Sequence, residues 1–230
     1  MKATRNNLKT LANDENADAR VAAFFSISAI LTVVLIVVWS LAPPPNIGVS
    51  EGQIAPDISS DAHTVGGSWE PFQLYDYFNH SWTEGEPGQY IFLQFMDTDC
   101  PHCWEDAKPM VDYYNEYGAN GAVLFITVSV GMLNSEHSRE ETVAFQEATD
   151  FEGCYQDARN CQERVGGPHN WLYVDDLNKG AFNDYNPPGV PFHLLLSPDG
   201  TVVWNSAAHP KGDLLHEPST AIEHHLSGDA

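Results

Sequence analysis

Four cysteines in 230 residues fall into two close pairs, Cys100/Cys103 and Cys154/Cys161. The first pair stands in Cys100-Pro101-His102-Cys103, behind the apolar run Tyr90 to Met96 and ahead of a helical-looking stretch, Pro101 to Tyr117. Two thiols at this spacing can carry out dithiol/disulfide exchange. A thiolate at the first attacks a disulfide, and the second, three positions on, reaches back and resolves the mixed disulfide. The start of a helix suits that chemistry, because unsatisfied N–H groups and the helix dipole there stabilise an ionised thiol. The competing readings are a structural disulfide or half of a zinc site. Zinc would need a second half, and Cys154-x6-Cys161 lacks knuckle-like spacing.

Cys154 and Cys161 lie in a polar insertion, Phe151 to Pro168, with no strand or helix setting to activate them. A structural staple is the primary reading, and a second redox pair exchanging electrons with Cys103 is the alternative. The even cysteine count suits an oxidising compartment. Of ten histidines, His102 is placed to act by position, His193 reads as an ordinary strand residue, and His224-His225 reads as part of a solvated tail. No ligand set is visible among them.

The elements that must position the dithiol follow from periodicity. Tyr90–Met96 and Ala122–Val130 are near-continuous apolar runs, as in strands covered on both faces. Pro109 should kink the Pro101–Tyr117 helix. Arg139–Thr149 reads as helix and Trp171–Val174 as strand. Phe192–Leu196 and Thr201–Trp204 form a hairpin closed by Ser197-Pro198-Asp199-Gly200, and Pro218–Leu226 is a last helix. Gly48–Gly67 reads as an irregular lead-in. The alternation makes an α/β domain with a mixed sheet.

Upstream, residues 1–20 form a polar tail and Val21 to Ala42 is a 22-residue stretch without a charge. At 1.5 Å per residue such a helix would be about 33 Å long, enough for a bilayer core. A cleaved signal peptide is disfavoured by that length and by Pro43 after Ser40-Leu41-Ala42. Lys2, Arg5, Lys9 and Arg20 precede the span, so the positive-inside rule leaves the tail cytoplasmic and everything after Pro43 outside. The expected organisation is a tail (1–20), a single transmembrane anchor (21–42), a linker and lead-in (43–68) and a redox domain (69–230) with a cysteine-containing insertion at about 150–168. Six basic and 29 acidic side chains lie from Pro43 onward, within a formal net charge of −22. This surface should repel nucleic acid and stay soluble at high salt. Asn79-His80-Ser81 is a glycosylation sequon.

Three separated signals together resemble the thioredoxin superfamily, particularly its membrane-anchored TlpA/ResA-like redoxins. They are Gly52-Gln53-Ile54-Ala55-Pro56-Asp57 with Leu74-Tyr75-Asp76-Tyr77; the order strand, Cys-Pro-His-Cys, helix; and Gly189-Val190-Pro191-Phe192 before strand, turn and strand. The resemblance covers roughly Gln53 to Trp204. It implies a thioredoxin-like α/β fold and makes Cys100 the attacking thiol and Cys103 the resolving one. Pro101 and His102 tune the pair, and Pro191 is a cis-proline lying against it. Val190 then offers its backbone to the substrate chain. No organic cofactor or metal is implied. Partners are protein thiols or disulfides, a membrane redox partner and, through residues 21–42, the lipid bilayer.

The chain departs from that pattern in places. Gln94 stands where thioredoxins bury an acid, Asp99 where an aromatic residue usually precedes the first cysteine, and the helix proline comes one residue late at Pro109. Peroxiredoxin chemistry is excluded because Leu93 and Asp97 occupy that family's proline and threonine positions. Sco-type copper delivery is excluded because its cysteines are spaced by three residues. The implied activity is thiol–disulfide exchange, with reductase or general exchange preferred. A disulfide-introducing oxidase, suggested by the Pro-His dipeptide, and a non-catalytic thioredoxin-like binding module remain the alternatives.

Overall fold

In the computed structural model, residues 24–34, 46–133 and 137–227 are described. Residues 24–34 are helical and exposed, and the remainder of the expected span lies outside the described residues. Among the described residues no helix is long and apolar enough to cross a membrane. A second compact unit comprises Asn46–Ala230.

That unit is built on a seven-stranded mixed sheet in the order β2-β1-β7-β4-β3-β8-β9. The strands are β1 (Ser59–His63), β2 (Trp69–Gln73), β3 (Tyr90–Met96), β4 (Val123–Ser129), β7 (Leu172–Asp175), β8 (Phe192–Leu196) and β9 (Val202–Asn205); a separate two-stranded ribbon holds β5 (Glu152–Gly153) and β6 (Arg159–Asn160). The helices are α1 (Pro101–Tyr113), α2 (Arg139–Glu147), α3 (Gly180–Tyr185) and α4 (Pro218–Ser227). β3 runs parallel to β4 and antiparallel to β8, and β4 is parallel to β7.

β3 shows why its sequence is apolar at every position but Tyr90 and Gln94. Ile91, Leu93 and Phe95 enter one buried cluster with Ile126, Val128 and Leu194, while Phe92 and Met96 enter the other with Cys103, Trp104 and Phe125. Strand periodicity of two sends alternate side chains to opposite faces, and both faces are covered. Gln94, 3% exposed, therefore shares its face with Phe92 and Met96, beneath α1.

Several local expectations change. The lead-in read as irregular supplies β1, which pairs antiparallel with both β2 and β7. Its sequence, Ser59-Ser60-Asp61-Ala62-His63, has too few apolar residues to show alternation, and hairpin pairing makes it a strand. α1 stays α-helical through Pro109 to Tyr113 and closes in a π turn, Tyr114–Gly118. α2 begins at Ser138, whose hydroxyl accepts the Glu141 N–H at 3.2 Å, and stops where Ala148 turns left-handed (φ 53°). The short α3 was not expected. Asp176 caps it by accepting the N–H groups of Ala181 (2.9 Å) and Phe182 (2.7 Å), and so relieves donors that a helix start leaves unpaired.

Candidate functional site

Cys100 is the N-cap of α1, in extended conformation (φ −78°, ψ 120°), and Pro101 occupies the first helical position. Proline fits there because that N–H has no helical partner and its φ is already helical. The Cys100 sulfur thus faces the open N–H groups of the first turn, and those of His102 and Cys103 bond to it. Both thiols are free and buried, at 5% and 2% exposure. The Cys103 S–H donates to Cys100, and with the two backbone N–H groups it outweighs burial and brings the Cys100 thiol down to about 6. Burial, together with its role as donor, holds the Cys103 thiol well above the usual range. One thiol is set to ionise and the other to keep its proton.

Cys100 also donates to the carbonyl oxygen of Val190 at 3.3 Å. The Val190–Pro191 peptide is cis, and the pair lines a cleft of about 550 Å³ together with Asp106, Pro109, His193 and Trp204. The sheet order explains the meeting: β8 lies beside β3, so the loop entering β8 arrives at the end of β3 from which α1 departs.

His102 points outward. Its Nδ1 lies 3.1 Å from Glu105 Oε2, both side chains being over three-quarters exposed, and Glu105 raises the imidazole's pKa.

The residue that sequence reasoning undervalued is His193. Its side chain is 8% exposed and its Nε2 lies 2.9 Å from Asp106 Oδ2. Gln94 Nε2 donates to the same oxygen at 2.7 Å, Thr127 donates to Gln94 Oε1 at 3.0 Å, and Trp171 Nε1 donates to Thr127 at 2.9 Å. Asp106 stands three residues beyond Cys103, hence on the same face of α1, and its charge adds to the upward shift of the Cys103 thiol. An acid thus does lie behind the second cysteine, though it comes from the helix. The available signal was the i,i+3 spacing of Cys103 and Asp106; its pairing with a histidine 87 residues away had none.

Cys154 and Cys161 are joined in a disulfide, and both are fully buried. Their loop is no remote appendage. Tyr155, Gln156 and Asp157 all take positive φ (59°, 61° and 57°). This left-handed turn sends the Tyr155 N–H to the Thr98 carbonyl (3.2 Å) and the Gln156 N–H to Asp99 Oδ1 (2.8 Å). Trp104 Nε1 donates to the same Thr98 carbonyl at 2.6 Å. Non-glycine residues rarely adopt this backbone, and here the disulfide and these bonds hold it against the segment entering Cys100.

No family model matches the chain, and no curated protein matches it. Among solved structures it is similar to the reduced 2-Cys peroxiredoxin of Plasmodium vivax, at 17% identity and a TM-score of 0.52, over 77% of this chain and 98% of that one. It is similar to a hypothetical protein from Sinorhizobium meliloti 1021 at 14% identity and a TM-score of 0.51, over 79% and 86% of the two chains. The thioredoxin domain of a thiol-disulfide oxidoreductase from Bacteroides vulgatus aligns at 19% identity and a TM-score of 0.47, over 75% and 96%. With a parallel β3–β4 pair, an antiparallel β8–β9 hairpin and a helix that starts at the dithiol, the chain has a thioredoxin-like fold.

Proposed function

We propose that this chain is a membrane-anchored, extracytoplasmic thiol–disulfide oxidoreductase working through Cys100 and Cys103. The observation that carries the reading is the Cys100 sulfur at the helix start, brought down to about 6 and placed against the backbone of Val190. In the reducing direction the Cys100 thiolate attacks one sulfur of a protein disulfide. That S–S bond breaks, a Cys100–substrate disulfide forms, and the leaving thiolate takes up a proton. Cys103 then loses its proton and attacks the Cys100 sulfur, which releases the second substrate thiol and leaves a Cys100–Cys103 disulfide. Two electrons pass from the dithiol to the substrate disulfide, and no organic cofactor takes part.

Asp106, held by His193 and Gln94, is the group to accept the Cys103 proton, and the cleft beside it leads that proton toward solvent. Val190 and Pro191 line the substrate groove. The Cys154–Cys161 disulfide is a staple for the turn that buttresses Thr98 and Asp99.

Reductase or general exchange is favoured over oxidase because strongly oxidising dithiols carry an attacking thiol near 3.5, and thioredoxin's lies near 7. Anchoring through residues 21–42 is supported by the uncharged stretch, the four basic residues ahead of it and the exposed apolar side chains of Phe24, Phe25, Ile27 and Ile30.

The reduction potential of the Cys100/Cys103 pair in glutathione buffers tests the reading. A potential around −270 mV supports a reductase fed by a membrane electron donor, and one around −120 mV makes the protein an oxidase. A pair that never exchanges with glutathione or dithiothreitol overturns the enzyme.

A further inference from the structure

Between β3 and Cys100 the chain buries two acids that the dithiol chemistry does not use. Asp97 and Asp99 are both fully buried. Asp97 Oδ1 accepts the Asp99 N–H at 2.8 Å, and its Oδ2 accepts those of Met132 (2.7 Å) and Leu133 (3.0 Å). Asp99 Oδ1 accepts the Gln156 N–H, but Asp99 Oδ2, shut off from solvent, has no hydrogen-bond partner among the described residues. A third acid, Glu141, is 3% exposed on α2 and accepts from the Thr98 hydroxyl.

His137 completes the group with a side chain 2% exposed. Its Nδ1 lies 3.9 Å from Asp97 Oδ1, 3.9 Å from Glu141 Oε1 and 3.1 Å from Thr98 Oγ1. Asp97, Asp99 and His137 each bring one donor atom to within 4.8 Å of the other two.

Within this group only His137 can answer the charge of the three acids. Among the described residues no lysine or arginine pairs with any of the three acids. Arg139, the basic residue nearest in sequence, is turned to Asp61 and Asp175, and Arg159 lies over the rings of Tyr155 and Trp104. Buried charges persist where they are paired or coordinate metals, and an orphaned carboxylate oxygen inside such a group marks a missing partner.

We propose that Asp97, Asp99 and His137 bind one divalent transition-metal cation, with Glu141 as a further carboxylate ligand. An imidazole among carboxylates suits Mn²⁺ or Zn²⁺ better than Ca²⁺, which takes six to eight oxygens, or Mg²⁺, which keeps its waters. At metal–ligand distances of about 2.0–2.2 Å, donors on opposite sides of an ion stand about 4 Å apart, so small side-chain rotations close the set. The ion would tie the end of β3 to the start of α2, directly behind the dithiol. The thiols are not ligands, so the site stands whether or not Cys100 and Cys103 exchange disulfides.

The test is a titration of the full-length protein, in detergent at pH 7.5, with Mn²⁺ alone, followed by loss of the free-ion electron paramagnetic resonance signal. Mn²⁺ prefers oxygen and nitrogen to thiolate, so Cys100 and Cys103 do not compete. Expected is one Mn²⁺ per chain bound at micromolar concentration and retained against a hundredfold excess of Mg²⁺. The isosteric Asp99→Asn and the conservative His137→Gln should each weaken binding at least tenfold with the circular dichroism spectrum unchanged, whereas the exposed Glu116→Gln should leave it unaltered. If Asp99→Asn does not fold, His137→Gln decides. Only weak uptake typical of an acidic surface, or a tight site indifferent to both variants, overturns the proposal.

Discussion

The sulfur of Cys100 and the carbonyl oxygen of Val190, 90 residues apart in sequence, lie 3.3 Å from one another. A substrate sulfur bonded to Cys100 would therefore carry its own chain along the backbone of Val190. Replacing Cys103 by alanine removes the resolving thiol and leaves this arrangement in place. The Cys103→Ala protein should accumulate a mixed disulfide with oxidised glutathione, seen as a mass increase that dithiothreitol reverses. Cys100→Ala should form none. Absence of the adduct in Cys103→Ala would remove Cys100 from the attacking role.

The pH dependence of reactivity follows from the lowered Cys100 thiol. Iodoacetamide alkylation of the reduced protein should rise with a midpoint near pH 6 and level off above about pH 7.5, whereas an unperturbed thiol would titrate near 8.5. Linkage gives a second consequence. A group whose folded pKa is depressed stabilises the fold fully above its unfolded pKa, and that contribution falls away as pH drops through the folded value. Reduced protein should therefore lose stability relative to the Cys100→Ser variant between about pH 9 and pH 6. Denaturant midpoints that differ by the same amount across this window would contradict the assignment.

Asp106 should govern the second step and leave the first alone. General acid–base groups contribute about 10²–10⁴-fold, and loss of one with water able to enter the cleft should cost roughly 10- to 100-fold. Asp106→Asn should slow resolution of the Cys100–glutathione disulfide by that factor, while alkylation of Cys100 at pH 8 stays within about twofold. His193→Gln, which leaves the acid but changes its partner, should give a smaller loss. Equal slowing of both steps would assign Asp106 a structural role only.

The Cys154–Cys161 disulfide should stabilise without being needed for turnover. Closing so short a loop restricts the unfolded chain by about 2–3 kcal/mol, or roughly 5–10 °C in melting temperature for a domain of this size. The Cys154→Ser/Cys161→Ser protein should melt lower by that amount and retain a glutathione-exchanging Cys100/Cys103 pair. Loss of exchange at temperatures where the variant is folded would instead make this bond a second redox centre.

What the sequence determined by itself is local. An apolar run covered on both faces, two thiols with proline at a helix start, and Ser197-Pro198-Asp199-Gly200 each constrain the backbone within a few residues. β3, α1 and the β8–β9 hairpin were accordingly legible, and so was the chemistry of Cys100 and Cys103. The short polar β1 was not, because a five-residue segment with one apolar core residue has no periodicity to read and becomes a strand only through the neighbours it pairs with on both sides.

The tertiary structure decided which distant side chains share a space. His193 reads as a plain strand residue until β8 is laid against β3, which brings it to Asp106 and Gln94. Gln94 reads as a missing acid until the helix above it supplies one. Asp99 reads only as an acid in an aromatic residue's place until the disulfide loop covers it and His137 arrives from the start of α2. Periodicity and spacing act over one or two turns of chain. The contacts that set proton transfer and charge balance here span 12 to 99 residues and depend on how strands and helices are laid together, which no local pattern encodes.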